Sequence, residues 1–104
     1  MKIKKDKYFR ERGSTAKIIK ISCMKCNSLI FVYQKDGPGW LKRCYLNRII
    51  SPEYYSNKKD INELNNLVCA CGNVIGSPFK YRDGRLAYHL IRGKFKRSNY
   101  KEIQ

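Results

Sequence analysis

Acidic side chains are scarce in this sequence. Asp and Glu together number 8, against 23 Lys and Arg, and the formal net charge at pH 7 is +15. A positive charge of this density has to be matched or screened by a polyanion. The shortage of carboxylates therefore favours nucleic acid as the partner, with an anionic membrane surface as the second choice.

Long hydrophobic runs are missing as well. The longest one covers residues 29–33, which is far too short to cross a bilayer. Residues 1–7 are charged and have no apolar core behind them, so we expect no secretory signal. The five cysteines are an odd number, which argues against a disulfide framework. We therefore expect a reducing compartment, the cytoplasm or the nucleus, and no membrane partner.

What the chain does contain is two pairs of cysteines. Cys23 and Cys26 have two residues between them, whereas Cys69 and Cys71 have one and are followed by Gly72. Each pair lies between β-branched and apolar stretches, which is typical of a knuckle in which a strand runs into paired thiols and then reverses. Four thiolates suit a tetrahedral Zn²⁺ site whose ligands all come from the protein. The sequence therefore predicts one structural Zn²⁺ bound by Cys23, Cys26, Cys69 and Cys71.

Alternatives to this site stay open. A four-cysteine site can also hold iron, and the first pair could carry out redox chemistry, although no helix of a βαβ unit follows it. Cys44, the fifth cysteine, is expected to be a small buried residue, but it could replace Cys69 or Cys71 as a ligand. His89, the single histidine, is expected to be an ordinary packed or half-exposed residue rather than a ligand.

Residue combinations typical of catalysis are not visible. No acidic residue adjoins either knuckle, and no Ser/His/Asp or Cys/His arrangement can be recognised. A catalytic zinc needs an open coordination position and a nearby acid or base, and four cysteine ligands leave no such position. We therefore expect that this protein is not an enzyme.

The pattern of apolar and turn residues predicts a mainly β fold within one domain. Strands are expected over residues 16–22, 29–33, 40–50, 79–82 and 85–92. Turns are expected over residues 35–39 and at Asp83 and Gly84, and a bend at Gly93 before residues 94–97. Residues 53–66 read as a loop with one helical turn near residues 61–64.

These elements define three parts of the chain. Residues 16–97 are predicted to form a zinc-binding β domain, in which small antiparallel sheets are bridged by the two knuckles. Residues 1–15 carry six basic residues and no periodic apolar pattern, so we predict an extended basic arm. Residues 98–104 are expected to be a C-terminal tail.

The second knuckle resembles part of a known group of domains. Cys71 and Gly72 are followed by Gly76 and the aromatic Tyr81, about forty residues after a Cys-x-x-Cys pair. This layout resembles the β-tent zinc domains of Yippee-like proteins, of the ligand-binding domain of cereblon and of the RNA-sensing C-terminal domain of RIG-I-like receptors. The resemblance implies two antiparallel sheets that meet at a four-cysteine zinc site. The single residue between Cys69 and Cys71 departs from the group, and a generic zinc ribbon would use nearly the same residues.

Seven basic residues lie within residues 80–97, where they are interleaved with Tyr81, Tyr88 and Phe95. Cations contact phosphates, and aromatic rings either stack on unpaired bases or form the sheet core. The nucleic-acid contacts predicted from the sequence are Lys42, Arg43, Lys80, Arg82, Arg85, Arg92, Lys94, Lys96 and Arg97.

The expected function is that of a structural-zinc RNA-binding protein that contacts RNA phosphates through the basic arm and through the strands of residues 80–97. Its composition resembles that of small zinc-binding ribosomal proteins, which implies ribosomal RNA and the neighbouring proteins of a ribosome or other ribonucleoprotein as partners. Two alternatives stay open. One is a protein-interaction adaptor of the β-tent kind, and the other is a DNA-associated zinc ribbon of the transcription machinery.

Overall fold

The computed structural model of this protein describes residues 2–100 and confirms a mainly β fold. Its helices are α1 (Lys7–Glu11) and α2 (Glu53–Ser56), with 3₁₀ turns at Leu46–Arg48 and Ile61–Glu63. Its strands are β1 (Ala16–Cys23), β2 (Leu29–Asp36), β3 (Arg43–Tyr45), β4 (Ile49–Ser51), β5 (Leu67–Val68), β6 (Val74–Lys80), β7 (Leu86–Leu90) and β8 (Phe95–Asn99). Among these residues, no helix is long and apolar enough to cross a membrane.

The strands form two four-stranded antiparallel sheets. The first sheet has the order β4-β2-β1-β8 and the second the order β3-β7-β6-β5. Alternate residues of β1, Ile19 and Ile21, are fully buried and pack with Phe31 of β2, while Ile75 and Tyr88 of the second sheet complete the same core. The core therefore lies between the two sheets, as expected when each sheet has one apolar face.

The single strand predicted over residues 40–50 is wrong. This segment contains two strands of three residues, β3 in the second sheet and β4 in the first, with the 3₁₀ turn Leu46–Arg48 between them. Cys44 and Leu46 are both buried, so the chain crosses from one sheet to the other through the core.

The segment 53–66, predicted as a loop with one helical turn, contains the helix α2 at its start as well as the 3₁₀ turn Ile61–Glu63. The other predicted elements differ mainly in their bounds. The strand expected over residues 79–82 begins at Val74 and includes Pro78, while the hairpin turn at Asp83 and Gly84 is confirmed, with Arg85 N–H donating to Asp83 Oδ1 at 3.0 Å. The bend at Gly93 is confirmed by a φ of +86°. After this bend β8 pairs with β1 in the first sheet.

The N-terminal segment is not extended throughout. Lys7–Glu11 is a helix, whose N-cap Asp6 accepts a hydrogen bond of 3.2 Å from Phe9 N–H. Phe9 is buried, and the main chain of Lys4 exchanges two hydrogen bonds with the side chain of Gln34. These contacts anchor the segment to β2. Residue 1 and residues 101–104 of the predicted arm and tail lie outside the described residues, and residues 98 and 99 belong to β8.

One buried cation ties this segment to the sheet. The Arg48 side chain is only 1% exposed, and its guanidinium donates to both carboxylate oxygens of Asp6 and to Asp36 Oδ2, the last at 2.7 Å. Asp36 also accepts from Gln34 Nε2 at 2.8 Å. The N-terminal segment is therefore attached through its own Asp6 to Arg48, which Asp36 of β2 also binds. Two of the scarce acidic residues of this chain are used for this purpose.

Gly76 in β6 is expected to tolerate no side chain. A Cβ at this position would clash with the backbone carbonyl of His89 on the paired strand β7, and backbone cannot move aside as a flexible side chain can. We expect Gly76→Ala to reduce the free energy of unfolding by about 2–3 kcal/mol, the upper part of the range for overpacking. Denaturant titration measures the loss. Ser77→Ala at the exposed neighbouring position is the control and should change stability by less than about 0.5 kcal/mol.

Candidate metal centre and basic face

The first knuckle is closed by its own backbone. Cys23 ends β1, and its N–H donates to Ser28 O at 2.9 Å, while Asn27 N–H donates to Cys23 O at 2.9 Å. Asn27 adopts a φ of +67°, a left-handed conformation that asparagine tolerates better than most residues. The resulting tight turn brings Cys26 back toward Cys23 before β2 begins.

The second knuckle repeats this design with a shorter loop. Cys69 follows β5 and its N–H donates to Asn73 O at 2.9 Å, while Gly72 N–H donates to Cys69 O at 2.8 Å. Gly72 has a φ of +93°, a conformation that glycine adopts without steric cost. One intervening residue is therefore enough here to present Cys69 and Cys71 on the same side of the turn.

The four predicted cysteines are brought together. Their sulfur atoms all lie within 4.8 Å of one another. Cys23 Sγ is 3.7 Å from Cys71 Sγ, and Cys26 Sγ is 3.4 Å from Cys69 Sγ. A tetrahedron with metal–sulfur bonds of about 2.3 Å has edges of about 3.8 Å. The cluster could therefore hold a metal ion, and it would join the end of β1 in the first sheet to the β5–β6 turn in the second.

A buried amide supports the cluster from behind. Asn73 Nδ2 donates to Cys23 Sγ at 3.3 Å and to Lys94 O at 2.9 Å, and Asn73 is only 9% exposed. Lys94 O also accepts from Met24 N–H at 3.1 Å. Such outer contacts orient metal ligands and favour the thiolate. Lys94 therefore acts here through its backbone.

The pKa values of Cys23 and Cys69 are shifted in opposite directions. Burial raises the pKa of Cys23, but hydrogen bonds from the Cys26 backbone and the Asn73 amide outweigh it and lower that pKa to about 6. A hydrogen bond with the Cys71 backbone lowers the pKa of Cys69. The contact of Cys69 with the Cys26 thiol and the burial of Cys69 outweigh this effect and raise the pKa of Cys69 to about 12. Four ionised sulfurs at this spacing would repel one another, and a divalent cation between them removes that repulsion.

Cys44 and His89 lie outside the cluster. Cys44 is fully buried in β3 as part of the core, and burial raises the pKa of its thiol well above the ordinary value. The His89 ring stacks on Phe79 with ring centroids 4.1 Å apart. Neither residue belongs to the four-cysteine group. Cys44 is buried as expected, whereas His89 is exposed.

Two adjoining concavities are lined by none of the cysteines. We call the first, of about 380 Å³, the Tyr81 cavity, and the second, of about 860 Å³, the Phe95 groove. Trp40, Leu41 and Lys42 line both. Because they share this border, the two concavities form one continuous surface, which we call the basic face.

Most of the predicted nucleic-acid contacts lie on this face. Lys42, Arg43, Arg82 and Arg85 line the Tyr81 cavity, whereas Lys42, Arg92, Lys96 and Arg97 line the Phe95 groove. Lys80 and Lys94 line neither concavity. Seven of the nine predicted cations are thus brought together, although they come from separate segments of the chain.

The cations on the face are not equally free. Arg85 forms an ion pair of 2.8 Å with Asp83, and its guanidinium lies 3.7 Å from the centre of the Tyr8 ring and 3.8 Å from that of the Tyr45 ring. The Arg43 guanidinium lies over Tyr81 at 4.5 Å. Arg85 is therefore largely committed to the protein itself.

The sequence did not reveal every residue of the face. Tyr8, Arg12 and Lys35 also line the Tyr81 cavity, although the first two belong to the N-terminal segment predicted as an extended arm. Lys35 is only 6% exposed, and burial lowers the pKa of its amine. Trp40 was assigned to a strand, yet it is 83% exposed. Gly37 and Gly39, which both precede Trp40, were the signal for a protruding loop here.

Together these features define a class of protein: a small basic β protein whose two antiparallel sheets are joined by four clustered cysteines. No protein-family model, curated protein or solved structure matches this chain.

Proposed function

We propose that this chain is a structural-zinc RNA-binding protein of the β-tent or zinc-ribbon kind, acting in a ribosome or another ribonucleoprotein of the cytoplasm. The zinc joins the two sheets, and the basic face contacts RNA phosphates. The observation that carries the proposal is that separate segments of the chain bring their cations to one continuous face.

The donor set supports zinc. Sulfur separations of 3.4 Å and 3.7 Å are those of a closed tetrahedral thiolate site, the arrangement typical of structural zinc. Cys23 and Cys69 are buried while Cys26 and Cys71 face outward, so the ion would sit at the rim of the core. When bound, it would supply a cross-link between the sheets.

The charge balance of the face supports a polyanionic partner. The Phe95 groove has four cations and, among the described residues that line it, no acid. The Tyr81 cavity is lined by three acids, of which Asp36 pairs with Arg48 and Asp83 with Arg85. Glu11 is then the one remaining acid among the described lining residues, and the other five cations of the cavity, Arg12, Lys35, Lys42, Arg43 and Arg82, are short of carboxylate partners. Phosphates would fill this role, and RNA offers them together with exposed bases.

We expect salt-dependent binding to a fluorescent RNA hairpin that carries a single-stranded loop. With about six phosphates neutralised, the logarithm of affinity should fall with the logarithm of salt concentration at a slope of about −4 to −5. Removing two cations of the face, in the variant Lys42→Gln with Arg92→Gln, should flatten the slope by about 2. Fluorescence anisotropy at four salt concentrations measures both slopes.

A variant of equal charge separates contact from bulk electrostatics. Lys58→Gln with Lys59→Gln removes the same two charges beside α2, outside both concavities, and should change the slope far less. Equal effects of the two variants, or a slope near zero for the unaltered protein, would reject the proposed interface. Tighter binding to duplex DNA of equal length would favour the transcription alternative, and protein capture without any RNA retention the adaptor alternative.

A further inference from the structure

We propose that the basic face binds single-stranded rather than duplex RNA. In this proposal Trp40 stacks on an unpaired base at the border between the Tyr81 cavity and the Phe95 groove. This inference rests on the proposed function and names the form of nucleic acid that the face accepts. It follows from the exposure of Trp40, from its position and from the composition of the concavities on either side.

Trp40 is exposed to a degree that packing does not explain. Its side chain is 83% exposed, more than any other large hydrophobic residue that the structure describes. It follows Gly37-Pro38-Gly39, in which both glycines have positive φ. The segment holds the indole out from the body, and the Arg92 guanidinium lies 5.7 Å from the centre of its ring. An indole beside a cation is a platform for a base whose phosphate needs neutralising.

The position of Trp40 makes it central. It lines the Tyr81 cavity on one side and the Phe95 groove on the other. A chain of nucleotides that filled both concavities would pass the border formed by Trp40, Leu41 and Lys42, of which Trp40 offers the one aromatic ring. The same ring could therefore stack on a base while the cations of both concavities contact the phosphates before and after it.

The floor of the groove favours unpaired bases. Leu41, Leu90 and the half-buried Phe95 provide apolar lining, with the cations Lys42, Arg92, Lys96 and Arg97 among them. A duplex turns its phosphates outward and stacks its bases inside, so it would leave an apolar concavity unfilled. A single strand can insert bases into the concavity and keep its phosphates near the cations.

Trp40 is the single tryptophan of the chain, so its fluorescence reports on this position directly. We expect a 12-nucleotide oligouridylate to quench the emission and to bind at least tenfold tighter than a 12-base-pair RNA duplex at the same salt concentration. Trp40→Ala should weaken oligouridylate binding by about 5- to 150-fold, the range for losing one stacked base. Trp40→Phe should retain most of the affinity because it keeps an aromatic face.

Tyr54→Ala is the matched control. Tyr54 is the next most exposed aromatic side chain at 62%, lies near Lys58 and lines neither concavity. Its removal should change affinity less than twofold. Inorganic polyphosphate, which has charge without bases, should bind the Trp40→Ala variant and the unaltered protein equally.

The possible failures are distinguishable. Salt-dependent RNA binding with unchanged tryptophan emission and no loss in Trp40→Ala would overturn the stacking inference and leave the proposed function standing. Equal affinity for the duplex, or tighter binding of polyglutamate than of oligouridylate, would also overturn it. Absence of any salt-dependent RNA binding would overturn the proposed function itself.

Discussion

Removing the zinc that we propose at the four-cysteine cluster is expected to unfold this protein. Structural zinc contributes on the order of 10–16 kcal/mol in small finger peptides, whereas an ordinary domain has a total stability of about 5–15 kcal/mol. The cluster lies between the end of β1 and the β5–β6 turn, and β5 has only two residues. Without the ion, little would hold the two sheets together at this end.

The measurement combines metal analysis with circular dichroism during titration with a chelator. The protein as purified should contain one equivalent of zinc and lose its cooperative thermal transition as the metal is removed. Cys71→Ala should abolish binding of the metal, although the side chain is exposed and its loss removes no core packing. An iron-containing protein would be coloured and would correct the identity of the metal.

Cys44→Ala provides the control within the same chain. Cys44 is as buried as Cys23 but lies outside the cluster, so its replacement should retain the full equivalent of zinc and cost only about 1 kcal/mol through lost packing. Metal lost on changing Cys44 but kept on changing Cys71 would refute the ligand set. A metal-free protein with an unchanged melting temperature would refute the structural role of the ion.

Replacing Arg48 by methionine is expected to cause the second-largest loss of stability. The substitution keeps an apolar chain in the core but leaves Asp36, only 10% exposed, without its cation. Removing one partner of a buried ion pair costs about 3–5 kcal/mol, because the remaining charge has no compensation. Asp6 is 40% exposed and can be solvated, so we expect about 3 kcal/mol from denaturant titration of the zinc-loaded protein.

Two further variants identify the cause. Asp36→Asn in the Arg48→Met background should restore part of the loss, since it removes the unpaired charge. Lys59→Met, an exposed cation without an ion pair among the described residues, should change stability by less than about 0.5 kcal/mol. If Arg48→Met and Lys59→Met had equally small effects on stability, the buried network around Arg48 would not be stabilising.

The ion pair between Arg48 and Asp6 makes the stability lost in Arg48→Met depend on pH. The hydrogen bonds from Arg48 hold the pKa of Asp6 well below its ordinary value. A carboxyl whose pKa is depressed by folding contributes stability that is fully present above its unfolded pKa, about 3.9, and that is lost as the pH falls further. The difference in stability between the unaltered protein and Arg48→Met should therefore be constant near neutral pH and shrink below about pH 4.

Much of the site could be predicted from the sequence because its signals are local. A strand, two thiols and a reversal occupy a few adjacent residues at each knuckle, so Cys23, Cys26, Cys69 and Cys71 could be chosen before their separation in space was known. The mainly β fold followed for the same reason, since β-branched runs and turn residues act over short distances. The leftover Cys44 could be recognised because it lacks a nearby partner of this kind.

The tertiary structure alone decided how distant segments meet. Nothing in the sequence distinguishes Arg48 from the other cations of the chain, because its ion pair with Asp6 spans 42 residues and leaves no trace in local spacing. Trp40 lay within a predicted strand, but β3 begins only at Arg43, so Trp40 stays in the loop that follows Gly37 and Gly39 and is exposed. Local chemistry along this sequence determined which residues can bind a metal and which carry charge. Packing of the two sheets determined which cations remain free and which concavities they border, because burial and proximity depend on the whole chain.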